Sequence, residues 1–254
     1  MSAPGVGVRR IARDVADVMR TPITSEGVYY EHDDEDVYEG WAAIVGKPGT
    51  PYVHGCYTFH LRFPQSYPTA PPEVTARTQD PAQRTRFHPN LYRNGRVCRS
   101  SLNTWKGEGW SSCMTLRSIL LDIAQALNRA DPFLEEPGVQ MDHRDRESYN
   151  RALRYKNLEV AVLGTLRLPS PEGAALTGVR CAYREYCREN AESIIEYARG
   201  LAILEPMELL HIGMYEMAVS GSYPPVVAGL EREVGSEIDP EAARESAGSR
   251  YGVL

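Results

Sequence analysis

Four short segments of this chain, separated by turn-rich stretches, read as β-strands, at 28–31, 37–46, 55–63 and 73–77. The third is the clearest. Tyr57, Phe59, Leu61 and Phe63 interleave with Cys56, Thr58, His60 and Arg62, so one face should meet a core and the other solvent. The connections between these segments are too short for the crossovers that parallel strands need, which predicts an antiparallel meander. Before them, Val8, Ile11, Val15, Val18 and Met19 recur at helical spacing over residues 6–20, and Pro22 ends that helix. The chain therefore reads as α+β.

Helices follow the sheet. Leu116, Ile119, Leu120, Ile123 and Leu127 form one apolar face, suited to packing on the strands. A further helix is expected over 145–163, a break at 169–173, and helices again over 179–204 and 206–219, with Pro206 in a first turn. Residues 231–250 are polar and expected to fray. This organisation divides the chain into a core of 1–163 and a helical extension of 164–254.

At 254 residues the chain has room for both parts, and 42% hydrophobic with 24% charged residues is ordinary globular composition. A net charge of −6 and the lack of a basic stripe argue against nucleic acid as a partner. No apolar run suits a signal peptide or a membrane span, so no membrane association is expected. Five cysteines without repeating spacing read as reduced thiols of a cytoplasmic or nuclear protein.

The chemistry concentrates in FHPNLYRNGRVC, where Cys98 follows Asn90 by eight residues and Asn94-Gly95 bends the chain back toward His88-Pro89-Asn90. A thiol held beside an amide donor suits acyl-thioester chemistry. Cys98 would carry the acyl group, and the Asn90 side chain could donate to the oxyanion formed on attack. From these residues alone, an inert buried cysteine in an incidental loop is an equally open reading. Arg93, Arg96 and Arg99 would favour the thiolate if they cluster in space. The acidic run Glu31 to Asp36 reads as a solvated turn. Cys181 and Cys187 do not share a helical face, and His54, Cys56 and His60 lack a paired ligand motif, so no metal is expected.

The segment FPQSYPTAPPEV at 63–74, the His-Pro-Asn tripeptide, Cys98, and Trp110 followed by a Leu-rich helix occur in an order and spacing that resemble ubiquitin-conjugating enzymes, over roughly residues 6–163. Residues 102–110 (LNTWKGEGW), 133–138 (FLEEPG) and 149–162 resemble the Z-type and apollon-like branch of that family, in which the loop after the cysteine is long. The resemblance implies the ubiquitin-conjugating fold: an N-terminal helix, a four-stranded meander and C-terminal helices. It implies that Cys98 accepts ubiquitin, or a ubiquitin-like modifier, as a thioester from an activating enzyme and passes it to a substrate lysine or a ligase. ATP is then used upstream, and no cofactor binds here.

By the same resemblance Asn90 stabilises the oxyanion or orders its loop. His88, Pro89 and Trp110 support the site, and His88 bonds within its own turn rather than acting as a base. Glu136, before Pro137, orients the incoming amine, although Glu135 is adjacent and equally acidic. Phe87 and Cys113 read as packing residues.

Three departures from the family pattern stand out. Arg99 and Ser101 occupy normally apolar positions, Thr69 replaces an exposed aromatic, and Ser112-Cys113 replaces a Pro-Ala pair after Trp110-Ser111. The last two bear on which ligases can bind. Two other function classes compete. One is a catalytically weak or inactive scaffold, which the departures at Arg99 and Ser101 favour and the presence of Cys98, Asn90 and Glu136 opposes. The other is a cysteine hydrolase, opposed by the turn-rich lead-in to Cys98. By resemblance, the extension helps select partners.

Overall fold

The computed structural model describes residues 5–169 and 173–238. Helix α1 (Val6–Arg20) buries Ile11 and Val18 against the core, while Met19, expected on the same face, remains 49% exposed. Asp14 takes the third buried position of that helix because it has partners: Arg10 Nε donates to it at 2.9 Å, and the Tyr67 hydroxyl donates to its other oxygen.

Strands β1 (Val28–His32), β2 (Glu39–Val45), β3 (Cys56–Arg62) and β4 (Glu73–Ala76) pair antiparallel in sequence order, with Trp41 opposite His60 and Phe59 opposite Ala76. This is the predicted meander. Within the acidic run, the Asp33 carboxylate accepts the backbone N–H groups of Glu35 and Asp36 at 2.9 and 3.0 Å, closing an exposed turn.

Helix α2 (Leu116–Ala126) starts at a capping box between Thr115 and Ser118 and buries Leu116, Ile119, Leu120 and Ile123. It packs beside α1 and against β1.

Helix α3 (Arg146–Lys156) runs on through a π-helical stretch, Asn157–Gly164, into a last turn, α4 (Thr165–Arg167). Asn157 is fully buried at that junction and joins two segments: it accepts the Tyr57 hydroxyl at 2.9 Å and donates to the Val53 carbonyl at 2.8 Å. Only glycine fits at 55, because a Cβ there would lie 1.8 Å from Asn157 Oδ1.

The extension turns back over the sheet. Helix α5 (Ala174–Glu189) lies against β1 and β2, and its Tyr183 hydroxyl donates to the His54 carbonyl at 2.9 Å. The Tyr186 hydroxyl pairs with His54 Nδ1 at 2.8 Å. Cys56 and Thr58, expected on a solvent face, are therefore buried, and β3 reaches solvent only toward Arg62. Of the predicted break at 169–173, residues 170–172 lie outside the described residues.

Two expectations for the extension are corrected. The segment 206–219 is not a helix but a small hairpin of β5 (Leu210–Ile212) and β6 (Met217–Val219) around a tight turn at Gly213–Tyr215. Leu210, Ile212, Met217 and Val219 are buried while His211 and Ala218 are exposed, a period of two masked by the helix formers around it. Residues 231–238 are not a frayed tail but the second half of α7 (Tyr223–Ile238). The spacing of Tyr223, Val226, Leu230 and Val234, all buried, is helical, and Pro224-Pro225 sits in the first turn. The rest of the polar segment lies outside the described residues. Helix α6 (Ala191–Leu204) packs on α7, and α7 on the π-helical stretch, so one hydrophobic cluster contains both Phe59 of the sheet and Leu230 of α7.

This continuity has a measurable consequence. Leu230→Ala, at a position with no exposure, is expected to lower stability by about 2–5 kcal/mol within a single unfolding transition. Two transitions in urea denaturation, with only one of them displaced, would show that the extension folds separately.

Candidate active site

The site is built from a chain reversal. After β4, the backbone N–H of Ala76 donates to the Gly95 carbonyl at 2.8 Å, docking the 92–96 turn on the sheet edge. Gly95 has φ +86°, and a Cβ there would lie 2.8 Å from the Ala76 carbonyl oxygen, so the turn needs glycine twice over. Tyr92 N–H donates to Arg96 O at 2.9 Å, and the reversal brings residues 90 and 98 face to face. Cys98 N–H donates to the Asn90 carbonyl at 2.8 Å, and Asn90 Nδ2 donates back to the Cys98 carbonyl at 2.7 Å. The thiol-bearing residue is thus clamped by both the backbone and the side chain of Asn90. Cys98 keeps 2% of its surface exposed.

His88 is fully buried, and its Nδ1 accepts the backbone N–H of Asn90 at 2.9 Å. Burial, with the Arg99, Arg86 and Arg129 charges adding to it, pulls the His88 pKa down to about 3. It is a neutral imidazole at physiological pH, with the Nε2–H tautomer imposed by that turn bond. Phe87 is buried edge-on to Tyr57, and its carbonyl accepts the Tyr52 hydroxyl at 2.8 Å.

Arg86, which sequence reasoning did not single out, braces the tripeptide. Its Nε donates to the His88 carbonyl at 3.2 Å and its Nη2 to the Pro89 carbonyl. Its guanidinium stacks 3.8 Å from the Tyr92 ring centroid and 5.1 Å from that of Tyr215, which belongs to the extension.

The long loop after the cysteine is closed by Asn103, at φ +55°, whose Oδ1 accepts the Trp110 backbone N–H at 2.8 Å. Trp110 Nε1 donates to the Pro68 carbonyl at 2.7 Å, tying the loop to the proline-rich segment. Thr69, Ser112 and Cys113 are exposed, so Cys113 is not the packing residue that its position suggested.

Arg99 and Ser101 find a shared partner in Asp122 of α2. Arg99 Nε donates to Asp122 at 3.0 Å, with Nη2 on the other oxygen, and Ser101 Oγ donates at 2.6 Å. Although burial works the other way, these bonds hold the Asp122 carboxyl below its ordinary pKa and raise that of Arg99. The three arginines thought to favour a thiolate do not converge. Arg99 is taken by Asp122, Arg93 donates to the Tyr215 carbonyl at 2.6 Å, and Arg96 is exposed.

Glu135 and Glu136, equivalent in sequence, have different partners: Glu135 pairs with Arg129 at 3.0 Å, whereas Glu136 accepts the Tyr215 hydroxyl at 2.7 Å. His60 pairs with Glu39 at 2.9 Å and stacks on Trp41, Cys187 is buried, and Cys181 is exposed. Among the described residues, no group of three His, Cys, Asp or Glu is placed to hold a metal ion.

A family model described as "Ubiquitin-conjugating enzyme" matches residues 10–157. The chain belongs to the ubiquitin-conjugating enzyme family. It is 38% identical to ubiquitin-conjugating enzyme E2 Z of Xenopus tropicalis over 157 residues, covering 61% of this chain and 49% of that protein. It is 36% identical to the Homo sapiens E2 Z over 167 residues, covering 64% of this chain and 46% of that protein. Against the human dual E2 ubiquitin-conjugating enzyme/E3 ubiquitin-protein ligase BIRC6 it is 32% identical over 175 residues, covering 64% of this chain and 4% of that protein. The alignments thus span about half the length of the E2 Z relatives. The solved structure of human ubiquitin-conjugating enzyme E2 G1 aligns with a TM-score of 0.43 at 30% identity, covering 50% of this chain and 98% of that one.

Two outcomes follow from the site's electrostatics. Asp122→Ala strands a half-buried guanidinium and is expected to cost about 1–3 kcal/mol, whereas making 99, 101 and 122 all apolar should recover most of it. Urea denaturation of the two variants reads the difference. For His88, the folded state refuses a proton that the unfolded chain accepts below pH 6.5, so stability is full above that pH and falls as pH drops toward 3. The loss is about 1.4 kcal/mol per pH unit within that window. His88→Asn, whose Oδ1 can replace Nδ1 as acceptor, should reduce the slope between pH 7 and 5 and leave the part due to His54 and His32, which burial also holds below their ordinary pKa. An unchanged slope in that variant would place the titration elsewhere.

Proposed function

We propose that this chain carries ubiquitin, or a ubiquitin-like modifier, as a thioester on Cys98. The observation that carries this reading is the double clamp between Asn90 and Cys98. It fixes Cys98 beside a side-chain amide in a short, ordered reversal. In the charging step Cys98 Sγ attacks the carbonyl carbon of the thioester held by an activating enzyme. A new C–S bond forms, the donor's C–S bond breaks, and the departing thiolate takes up the proton released from Cys98. In the transfer step a lysine amine attacks the same carbon. The C–N bond replaces C–S, the amine loses a proton, and the Cys98 thiol is restored. With a ligase cysteine as acceptor, the second step is another thioester exchange.

The chain's residues divide that work. Asn90 orders the loop through its bond to the Cys98 carbonyl, and its amide donates to the oxyanion of either step. His88, neutral and buried, shapes the turn and is unsuited to act as a base. Glu136 orients the amine. No cofactor is needed, since the energy of the thioester is supplied upstream. Cys98 is almost covered, so charging requires the loop to open far enough for an extended tail to reach Sγ. An activating enzyme, protein substrates and a ligase are the partners this reading requires. Exposed Thr69, Ser112 and Cys113 favour ligases that do not depend on an aromatic and a Pro-Ala pair at these positions. Among the described residues, no helix is long and apolar enough to cross a membrane.

The test is a charging assay with ubiquitin, ATP and each of the two ubiquitin-activating enzymes, resolved on a non-reducing gel. A thiol-sensitive adduct in the wild type that Cys98→Ala lacks is expected. Asn90→Ala should slow transfer by roughly 10²–10³ if its amide meets the oxyanion, and far less if it only orders the loop. No adduct with any donor would favour the scaffold reading.

A further inference from the structure

The extension reaches the site through its β5–β6 hairpin. Tyr215 sits at the tip of the β5–β6 hairpin, in a turn closed by Glu216 N–H on the Gly213 carbonyl at 3.1 Å. Three anchors hold that tip against the catalytic loops. The Met214 N–H donates to Asp145 Oδ2 at 2.8 Å, Arg93 donates to the Tyr215 carbonyl at 2.6 Å, and the Arg86 backbone N–H meets Met217 Sδ at 3.4 Å. The Tyr215 ring lies edge-on to Phe133 at 5.8 Å and tilted against Tyr149 at 5.2 Å, with the Arg86 guanidinium nearby. A ring packed on these sides has little rotational freedom, so its hydroxyl is aimed rather than free. It is aimed at Glu136 Oε2, at 2.7 Å.

We propose that Tyr215 is a positioning residue for the transfer step: its hydroxyl holds the Glu136 carboxylate in the orientation that receives the attacking amine, which makes the β5–β6 hairpin part of the transfer machinery. The inference rests on the reading of Glu136 given above, and goes beyond it by assigning a role to the extension. A carboxylate on a loop before Pro137 can rotate freely, and an orienting group that rotates gains little from its charge. With Oε2 committed to Tyr215, Oε1 is the oxygen that remains for an amine N–H. Burial, with Tyr149 and Glu136 adding to it and Arg86 opposing, pushes the Tyr215 pKa far up, so the hydroxyl stays a donor across the working pH range. The same arrangement explains why Glu136 rather than Glu135 serves the amine, since Glu135 is held by Arg129.

The experiment is a single-turnover discharge. Cys98 is charged with ubiquitin, ATP is removed, and loss of the adduct is followed over a series of free lysine concentrations for the wild type, Tyr215→Phe, Glu136→Ala and the double variant. Phenylalanine keeps the ring packing and removes only the donor. Tyr215→Phe is expected to charge within twofold of wild type and to melt at a similar temperature. Its maximal discharge rate should fall about tenfold, the rate equivalent of one hydrogen bond to a charged group. In the Glu136→Ala background the same substitution should change the rate less than twofold, because the two residues act as one unit. Discharge of Tyr215→Phe at the wild-type rate, with Glu136→Ala slow, overturns the role of Tyr215 alone. Equal slowing by Tyr215→Phe with and without Glu136 also overturns it, since the effect would then pass through packing. Glu136→Ala discharging like wild type removes the carboxylate's role and this proposal with it. A wild-type chain that never charges removes the thioester reading itself.

Discussion

The reciprocal pair of hydrogen bonds between Asn90 and Cys98 is the constraint around which the rest of the site is arranged. Together they fix both the path of the backbone and the plane of the Asn90 amide. Everything nearby serves to keep that pair in register. Gly95 allows the reversal, His88 holds the turn from inside, and Arg86 ties down the two carbonyls that precede Asn90. A buried neutral histidine costs stability at acid pH, and the turn accepts that cost in exchange for a rigid acceptor with no charge near the thiol.

Asp122 shows how a departure from a family pattern is absorbed. Arg99 and Ser101 stand where apolar residues are usual, and on sequence alone they cast doubt on the packing of the loop after Cys98. The structure supplies a third polar residue from the facing helix, so two donors and one carboxylate replace an apolar contact. A polar cluster of this kind is worthwhile only when every member has a partner, since an unpaired one would cost more than the apolar original returned.

The extension is an integral layer of the molecule. Helix α5 covers the outer face of the sheet, α7 packs behind the π-helical stretch, and the hairpin reaches round to Arg86, Arg93 and Glu136. The chain passes from sheet-side core to extension through Asn157 and the π-helical stretch that follows it, where a buried amide joins β3 to the loop before it. His54 is the matching anchor on the sheet side, engaged by both Tyr183 and Tyr186 of α5.

What the sequence by itself determined is local or periodic: the first helix, the four-stranded meander, the apolar face of α2, and the motif that places Asn90 eight residues before Cys98. These follow from spacing, which the chain carries without reference to its partners. The hairpin at 210–219 and the helix at 223–238 have legible periods too, but three-residue strands offer too few repeats to outweigh the propensities around them. Other features were decided only by the tertiary structure. Which of two adjacent glutamates meets Tyr215, whether Arg99 faces a thiol or a carboxylate, and why the outer face of β3 is covered all depend on residues 23 to 132 positions away in the chain. A contact made across such a distance has no signature in the local pattern of either partner. Its energy appears only when folding has brought the two together.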